Sequence, residues 1–223
     1  MCRMNGGKGL LFGNITGVPP TEVVIIGAGL VAEAAIRTAL ALGVNVKVFD
    51  NNIHKLKRLQ KSLPYQVFTS TIQQRVLTKA LMRCDVAIGA VKGCNRSPVL
   101  VSEEMVQRMK PGAVIIDVCI DNGGCFETSE ITTHEKPTRE KYGVIHYGVP
   151  NITAKFSKTA SLAISNIISP YLLDLSENGS IDDAVSYDST IRSGIYMYKG
   201  ILVNEAIANW FNLNFKDINL IVL

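Results

Sequence analysis

An α/β fold, with a doubly wound parallel sheet covered by helices on both faces, is predicted by three observations on these 223 residues. Short β-branched runs alternate with helical periods along most of the chain. A glycine-rich turn joins the first run to the first helix. Apolar residues (47%) outweigh charged ones (19%) by enough to fill both faces of such a sheet.

The elements follow in order. Residues 1–20 are dense in Gly and Pro, hold no sustained period and are expected to form a lead-in segment. Val23–Ile26 reads as a strand, and Leu30–Leu42 as an Ala-rich helix that stops at Gly43. Val46–Phe49 is a second strand, followed by a helix over Ile53–Leu63 with Leu56 and Leu59 on one face and Pro64 as its stop. Gln66–Thr69 and Ile72–Met82 repeat the pair. Asp85–Gly89 and Ala113–Asp117 are further strands around a helix near Val101–Met109, whose first turn carries Glu103 and Glu104. Val144–Tyr147 is the sixth strand, and a helix over about Thr159–Leu175 completes a domain spanning residues 21–176. Residues 177–223 begin as a polar linker, continue as a helix over Tyr198–Phe211 and end in an apolar tail. This segment has too little material for a core of its own and is expected to pack on something else.

Lys and Arg (23) barely exceed Asp and Glu (19) and are spread out, not clustered with aromatics, which argues against a nucleic-acid partner. No apolar run is long enough to span a bilayer, and the first residues lack the apolar stretch of a signal peptide, so the chain reads as cytoplasmic. Cys2, Cys84, Cys94, Cys119 and Cys125 are odd in number and show no CxxC spacing, which reads as reduced thiols. His54, His134 and His146 lie far apart with no HExxH pattern, so no metal is expected.

The chemistry-bearing motif is Gly27-Ala-Gly29-Leu-Val-Ala32, placed between strand and helix as in a Rossmann fold. Gly27 permits the tight turn, Gly29 lets a pyrophosphate approach the backbone, and Ala32 lets the helix lie close to the sheet. The helix N-terminus offers N–H groups and a positive dipole end to phosphates. Asp50 stands at the end of the second strand, where an acid accepts hydrogen bonds from both adenosine ribose hydroxyls and repels the extra phosphate of NADP, which favours NAD. A helix-capping role for Asp50 ahead of Ile53 is the alternative, and Lys55 borders the adenosine or is a solvated helix residue. Asp117 through Cys125 runs from a strand into a Gly-Gly turn at the sheet's carboxyl edge; Asp121 there reaches the crevice, or with Asn122 makes an Asx turn. Asn151, after the sixth strand, offers an amide at the same edge or serves its turn, and Lys92–Pro98 borders the cofactor or is a surface connection.

Asn5-Gly-Gly-Lys-Gly9, Gly17-Val-Pro-Pro20, Val23–Gly29, Gly89-Ala-Val91, Met109-Lys-Pro-Gly-Ala113, Asp121–Thr128, Thr132-Thr-His134 and Val149-Pro-Asn151 together resemble the alanine dehydrogenase and pyridine nucleotide transhydrogenase family over about residues 5–175. The Asp121-Asn-Gly-Gly-Cys-Phe-Glu-Thr128 stretch looks specifically like alanine dehydrogenase. The resemblance implies oxidative deamination of L-alanine to pyruvate and ammonia, with hydride passing to C4 of NAD⁺. It also implies that Asp50 holds the ribose, Lys55 and Ser70 flank the adenosine, and Val91 and Val149 lie along the cofactor. Asp121 and Asn151 then serve the reacting centre. In that family the substrate-gripping Arg and Lys and the catalytic His belong to an N-terminal domain. This chain is expected to lack that domain, and its own histidines are not candidates for the role. L-Alanine or pyruvate is therefore expected only with a complementary substrate domain, on which residues 177–223 pack, and the full-length form is expected to be a homo-oligomer. The alternative implied is an NAD-binding subunit of a split transhydrogenase-like or regulatory complex without catalysis of its own.

Overall fold

The computed structural model describes Met1 and residues 6–93, 96–177 and 180–222. Expectations resting on Cys2, Asn5, Cys94, Asn95, Asn178, Gly179 and Leu223 lie outside the described residues. The chain divides into two compact units, Met1–Ile152 and Thr153–Leu223.

The first unit is built on a sheet of seven strands among the described residues, in the order β3-β2-β1-β4-β5-β7-β6. The strands are β1 (Glu22–Ile26), β2 (Asn45–Phe49), β3 (Phe68–Ser70), β4 (Val86–Gly89), β5 (Val114–Asp117), β6 (Thr138–Lys141) and β7 (Val144–Tyr147). The helices are α1 (Leu30–Ala41), α2 (Ile53–Ser62), α3 (Gln74–Leu81) and α4 (Glu103–Gln107). Side chains alternate across a strand, so β1 feeds two cores. Val23 and Ile25 pack with Ala32, Ile36 and Ala39 of α1 and Leu56 and Leu59 of α2. Val24 and Ile26 pack with Leu77 and Leu81 of α3 and Met105, Val106 and Met109 around α4. Each fully buried aliphatic side chain contributes about 1.5–3 kcal/mol, and truncating fully buried Ile25 to Ala costs about 2–5 kcal/mol.

Every expected strand of this unit is present within two residues of its predicted bounds. One strand was not foreseen. Thr138–Lys141 forms β6, antiparallel to β7 through a turn in which Tyr142 (φ +57) and Gly143 (φ +71) are both left-handed. Its polar Thr-Arg-Glu-Lys sequence hid it, and the same charges suit a sheet edge.

The second unit carries α5 (Ser157–Glu177), α6 (Ile181–Tyr187), α7 (Ser189–Ser193), the hairpin β8 (Met197–Tyr198) with β9 (Ile201–Leu202), and α8 (Glu205–Phe211). Three expectations are corrected here, the third being that residues 177–223 have too little material for a core. The polar linker is largely helical, because Ser180 and Asp188 accept the first N–H groups of α6 and α7 with their side chains. The helix expected from Tyr198 begins at Glu205 instead, because Lys199 (φ +49) and Gly200 (φ +79) turn the preceding residues into a hairpin. This unit also gathers a small core of its own, with Val185, Tyr198, Val203 and Ile218 at its centre and Ile191, Ile195 and Ile201 packed against them.

Candidate functional site

Strands β1 and β4 are neighbours whose chains leave toward opposite sides of the sheet, and the crevice at such a point lies beyond the strands' carboxyl ends. The turn after β1 borders it. Gly27 holds φ +115, donates its N–H to the Phe49 carbonyl at 2.7 Å, and lies so close to Ala90 that a Cβ would overlap that carbonyl. Gly29 differs. It has ordinary extended backbone (φ −82, ψ −174), and among the described residues no atom beyond Gly29 and its two chain neighbours lies within 4 Å of where a Cβ would stand. One glycine is required by the fold, whereas the other leaves space open. No side chain among the described residues caps α1, and Leu30 and Val31 are exposed beside its N-terminus.

Asp50, at the tip of β2, is 8% exposed. Its Oδ2 accepts the Ala28 N–H at 2.7 Å and its Oδ1 the Asn52 N–H at 2.7 Å, so the acid is fastened to the glycine turn. The cap of α2 is Asn52, whose side chain accepts the Lys55 N–H, and the helix-capping alternative for Asp50 is thereby set aside. A carboxylate offers roughly four acceptor sites, so Asp50 retains acceptor capacity toward the cleft. Ser70, at the end of β3, gives its carbonyl to the Asp50 N–H at 3.2 Å and its hydroxyl to the Thr71 carbonyl at 2.9 Å.

Two adjoining clefts meet at this turn. One, of about 220 Å³, is lined by Gly29, Asp50, Lys55, Ile72, Val91 and Leu100 among others. The second, of about 330 Å³, shares Gly29, Lys55 and Val91 and adds Leu30, Val31 and Cys119. Gly29, Asp50, Lys55 and Val91, chosen from sequence, are therefore brought to one place. Ala32 is fully buried in the core beneath α1, and its methyl lines neither cleft.

The loop after β5 is organised by Asp117, which is 2% exposed. Its carboxylate accepts the N–H groups of Cys119 (3.0 Å), Cys125 (2.9 Å) and Phe126 (3.3 Å) and the Ser129 hydroxyl (2.6 Å), so it acts as a buried anchor for the turn. Exposed Asp121 projects from that turn, and its Oδ1 accepts the Asn151 N–H at 2.7 Å. Val149 is buried just ahead of it, beyond β7. His146 is buried in β7, with Nε2 2.8 Å from the Thr128 hydroxyl and Nδ1 3.0 Å from the Val144 carbonyl, and burial lowers its pKa. His54 and His134 are exposed. Sequence reading missed Cys119 as a wall of the cleft; its position two residues past the strand-ending Asp117 was the available signal.

The family model described as the C-terminal domain of alanine dehydrogenase/PNT matches residues 1–205. The chain belongs to the alanine dehydrogenase/PNT family. Among the relatives of this alanine dehydrogenase/PNT chain, an alanine dehydrogenase of Mycolicibacterium smegmatis is 39% identical over 97% of the chain and 58% of its own length. One from Methanococcus maripaludis is 39% identical over 95% and 57%. A solved L-alanine dehydrogenase superposes with a TM-score of 0.87 at 36% identity, covering 94% of this chain and 58% of that one. A transhydrogenase from Sinorhizobium meliloti gives 0.61 at 27% identity, covering 70% and 44%. The family chain thus spans a little under three fifths of the length of the alanine dehydrogenases it matches. No described helix of it is long and apolar enough to cross a membrane.

Proposed function

We propose that this chain holds NAD(H) and serves as the cofactor-binding part of an NAD-dependent alanine dehydrogenase, which converts L-alanine, NAD⁺ and water to pyruvate, ammonia and NADH. The observation that carries the reading is Asp50: a buried carboxylate at the tip of β2, tied to the glycine turn and facing the cleft. The residues present fit a dinucleotide. Gly29 leaves room against the backbone and α1 presents an N-terminus without a side-chain cap, both of which suit a diphosphate.

In this reading Asp50 accepts hydrogen bonds from the vicinal ribose hydroxyls, and its charge disfavours a 2′-phosphate. Gly27 shapes the turn, Gly29 carries the diphosphate, Lys55 and Ser70 flank the adenosine, and Val91 and Val149 lie along the remainder. Ala32 acts indirectly, by letting α1 approach the sheet. Bound there, the coenzyme supplies a hydride acceptor at C4 of its nicotinamide. Asp121 and Asn151 orient the reacting groups at the carboxyl edge of the sheet. The groups that grip L-alanine or pyruvate, and the base for its proton, belong to a complementary substrate domain, and the complete enzyme is a cytoplasmic homo-oligomer.

Calorimetric titration of the 223-residue chain tests the reading. The expected result is binding of NADH and NAD⁺ with NADPH disfavoured, and little or no NADH production from L-alanine by this chain alone. Preference for NADP⁺, or failure to hold either coenzyme, sinks the cofactor assignment; robust alanine turnover sinks the division of labour.

A further inference from the structure

The turn that follows β5 brings two thiols together. Cys119 precedes the 3₁₀ turn Ile120–Asn122, and Gly123 (φ +99) and Gly124 (φ +79) then reverse the chain, with the Gly124 N–H donating to the Cys119 carbonyl at 3.0 Å. The Sγ atoms of Cys119 and Cys125 and a carboxylate oxygen of Asp117 consequently lie within 4.8 Å of one another. Both cysteines are free.

The two thiols are not equivalent. Cys119 is 4% exposed, lines the cleft beside Val91, and accepts the Val91 N–H on its sulfur at 3.1 Å. Cys125 is fully buried behind it, with its sulfur 3.8 Å from Asp117 Oδ1. A disulfide needs its sulfurs about 2.05 Å apart, and here the two sulfurs lie no more than 4.8 Å apart, on either side of the Gly-Gly turn. We propose that Cys119 and Cys125 form a peroxide-oxidisable dithiol in the floor of the cleft, with Cys119 as the attacking thiol, Cys125 as the resolving thiol and Asp117 as the acceptor of the Cys125 proton.

The step balances with hydrogen peroxide as oxidant. Cys119 attacks one peroxide oxygen; its S–H bond and the O–O bond break, an S–O bond forms, and water leaves. Cys125 then attacks the sulfenic sulfur. The S–S bond forms, the S–O bond breaks, and the Cys125 proton passes by way of Asp117 to the departing hydroxide, giving a second water. Each sulfur is oxidised by one electron, and each peroxide oxygen is reduced by one. Closure draws the Cys119 sulfur toward Cys125 and away from the Val91 N–H and tightens the loop that carries Asp121, so the oxidised chain holds the coenzyme less well. That consequence rests on the proposed function, whereas the disulfide itself does not.

The test treats the purified full chain with hydrogen peroxide and maps its thiols by alkylation and mass spectrometry. The expected product is lighter by two hydrogens, and cleavage before Asp121 leaves two fragments joined until a reductant is added. Cys125→Ala should stop at a sulfenic acid on Cys119, trapped by a dione reagent, and Cys119→Ser should leave Cys125 unoxidised; thermal melts of the unoxidised variants confirm that they fold. Both thiols remaining alkylatable after peroxide, a bond to any other cysteine, or thiols freed for alkylation only by a chelator would overturn the proposal. NADH titration of the reduced and oxidised chains reads the consequence: affinity falls roughly tenfold, the worth of one lost hydrogen-bonded contact, and returns on reduction. Disulfide formation in a chain that binds no NADH when reduced supports the thiol chemistry while the functional reading fails. A disulfide that leaves NADH affinity unchanged overturns the coupling of the bond to the cleft.

Discussion

Asp121 Oδ1 accepts the backbone N–H of Asn151 at 2.7 Å, joining the loop after β5 to the loop after β7. Asn151 holds φ +50, a left-handed conformation that Asn tolerates better than most residues. Because the bond is solvent-exposed, its loss is modest. Asp121→Ala should lower stability by about 0.5–1.5 kcal/mol, while Asp121→Asn, which keeps an acceptor oxygen, should stay near wild type in a denaturant melt. Asn151→Val should cost more than Asn151→Gly, because a β-branched side chain is strained at positive φ. Equal losses for Val and Gly would contradict the role given to the backbone turn.

The two turn glycines should separate folding from binding. Gly27→Ala forces a Cβ onto the Ala90 carbonyl at φ +115 and should destabilise the chain by about 3 kcal/mol or more. Gly29→Ala meets open space at ordinary φ, so its stability cost should stay within about 1 kcal/mol, the disadvantage of Ala at a helix N-cap. Its NADH affinity should nevertheless drop, since the methyl stands where the proposal puts the diphosphate. Parallel melting and titration of the two variants check this, and full NADH affinity in Gly29→Ala would count against the placement.

Asp50 should contribute to both properties. Asp50→Ala strips the acceptor from the buried Ala28 N–H, a loss of about 1–3 kcal/mol to be read from the unfolding midpoint. Asp50→Asn keeps an oxygen for that N–H and removes the charge, so it should be milder in stability. It should narrow the preference for NADH over NADPH, as measured by titrating both coenzymes.

His146 predicts a pH dependence. Burial holds its folded pKa below the ordinary value of 6.5, so the unfolded chain binds more protons between the two values. Its contribution to stability is full above 6.5 and is lost as pH falls from there through the folded pKa. Asp85 acts in a lower window: burial raises its pKa, but the Glu22 N–H and the Lys110 and Lys8 ammonium groups outweigh burial and hold it below 3.8. Melting temperature should therefore decline in two stages on acidification, and His146→Asn should flatten only the upper one.

The alternation of apolar runs and helical periods determined the order of the elements from β1 to β5 and the presence of β7, and the G-x-G turn followed by Asp50 marked where the candidate site was to be sought. Both are local signals, because a strand-to-helix turn and a strand-end acid depend on residues close in the chain. What the tertiary structure decided lies in contacts between distant residues. Whether Gly27 or Gly29 faces open space depends on Ala90 across the sheet. Asn52 takes the cap of α2 while Asp50 binds the distant Ala28 N–H, and Ala32 lies in the core and lines neither cleft. Strand β6 was illegible because its polar residues owe their pairing to β7 and not to propensity. Asp117, Cys119 and Cys125 lie close in the chain, yet only the left-handed pair Gly123 and Gly124 folds them onto one another; apolarity and spacing carry no record of that reversal.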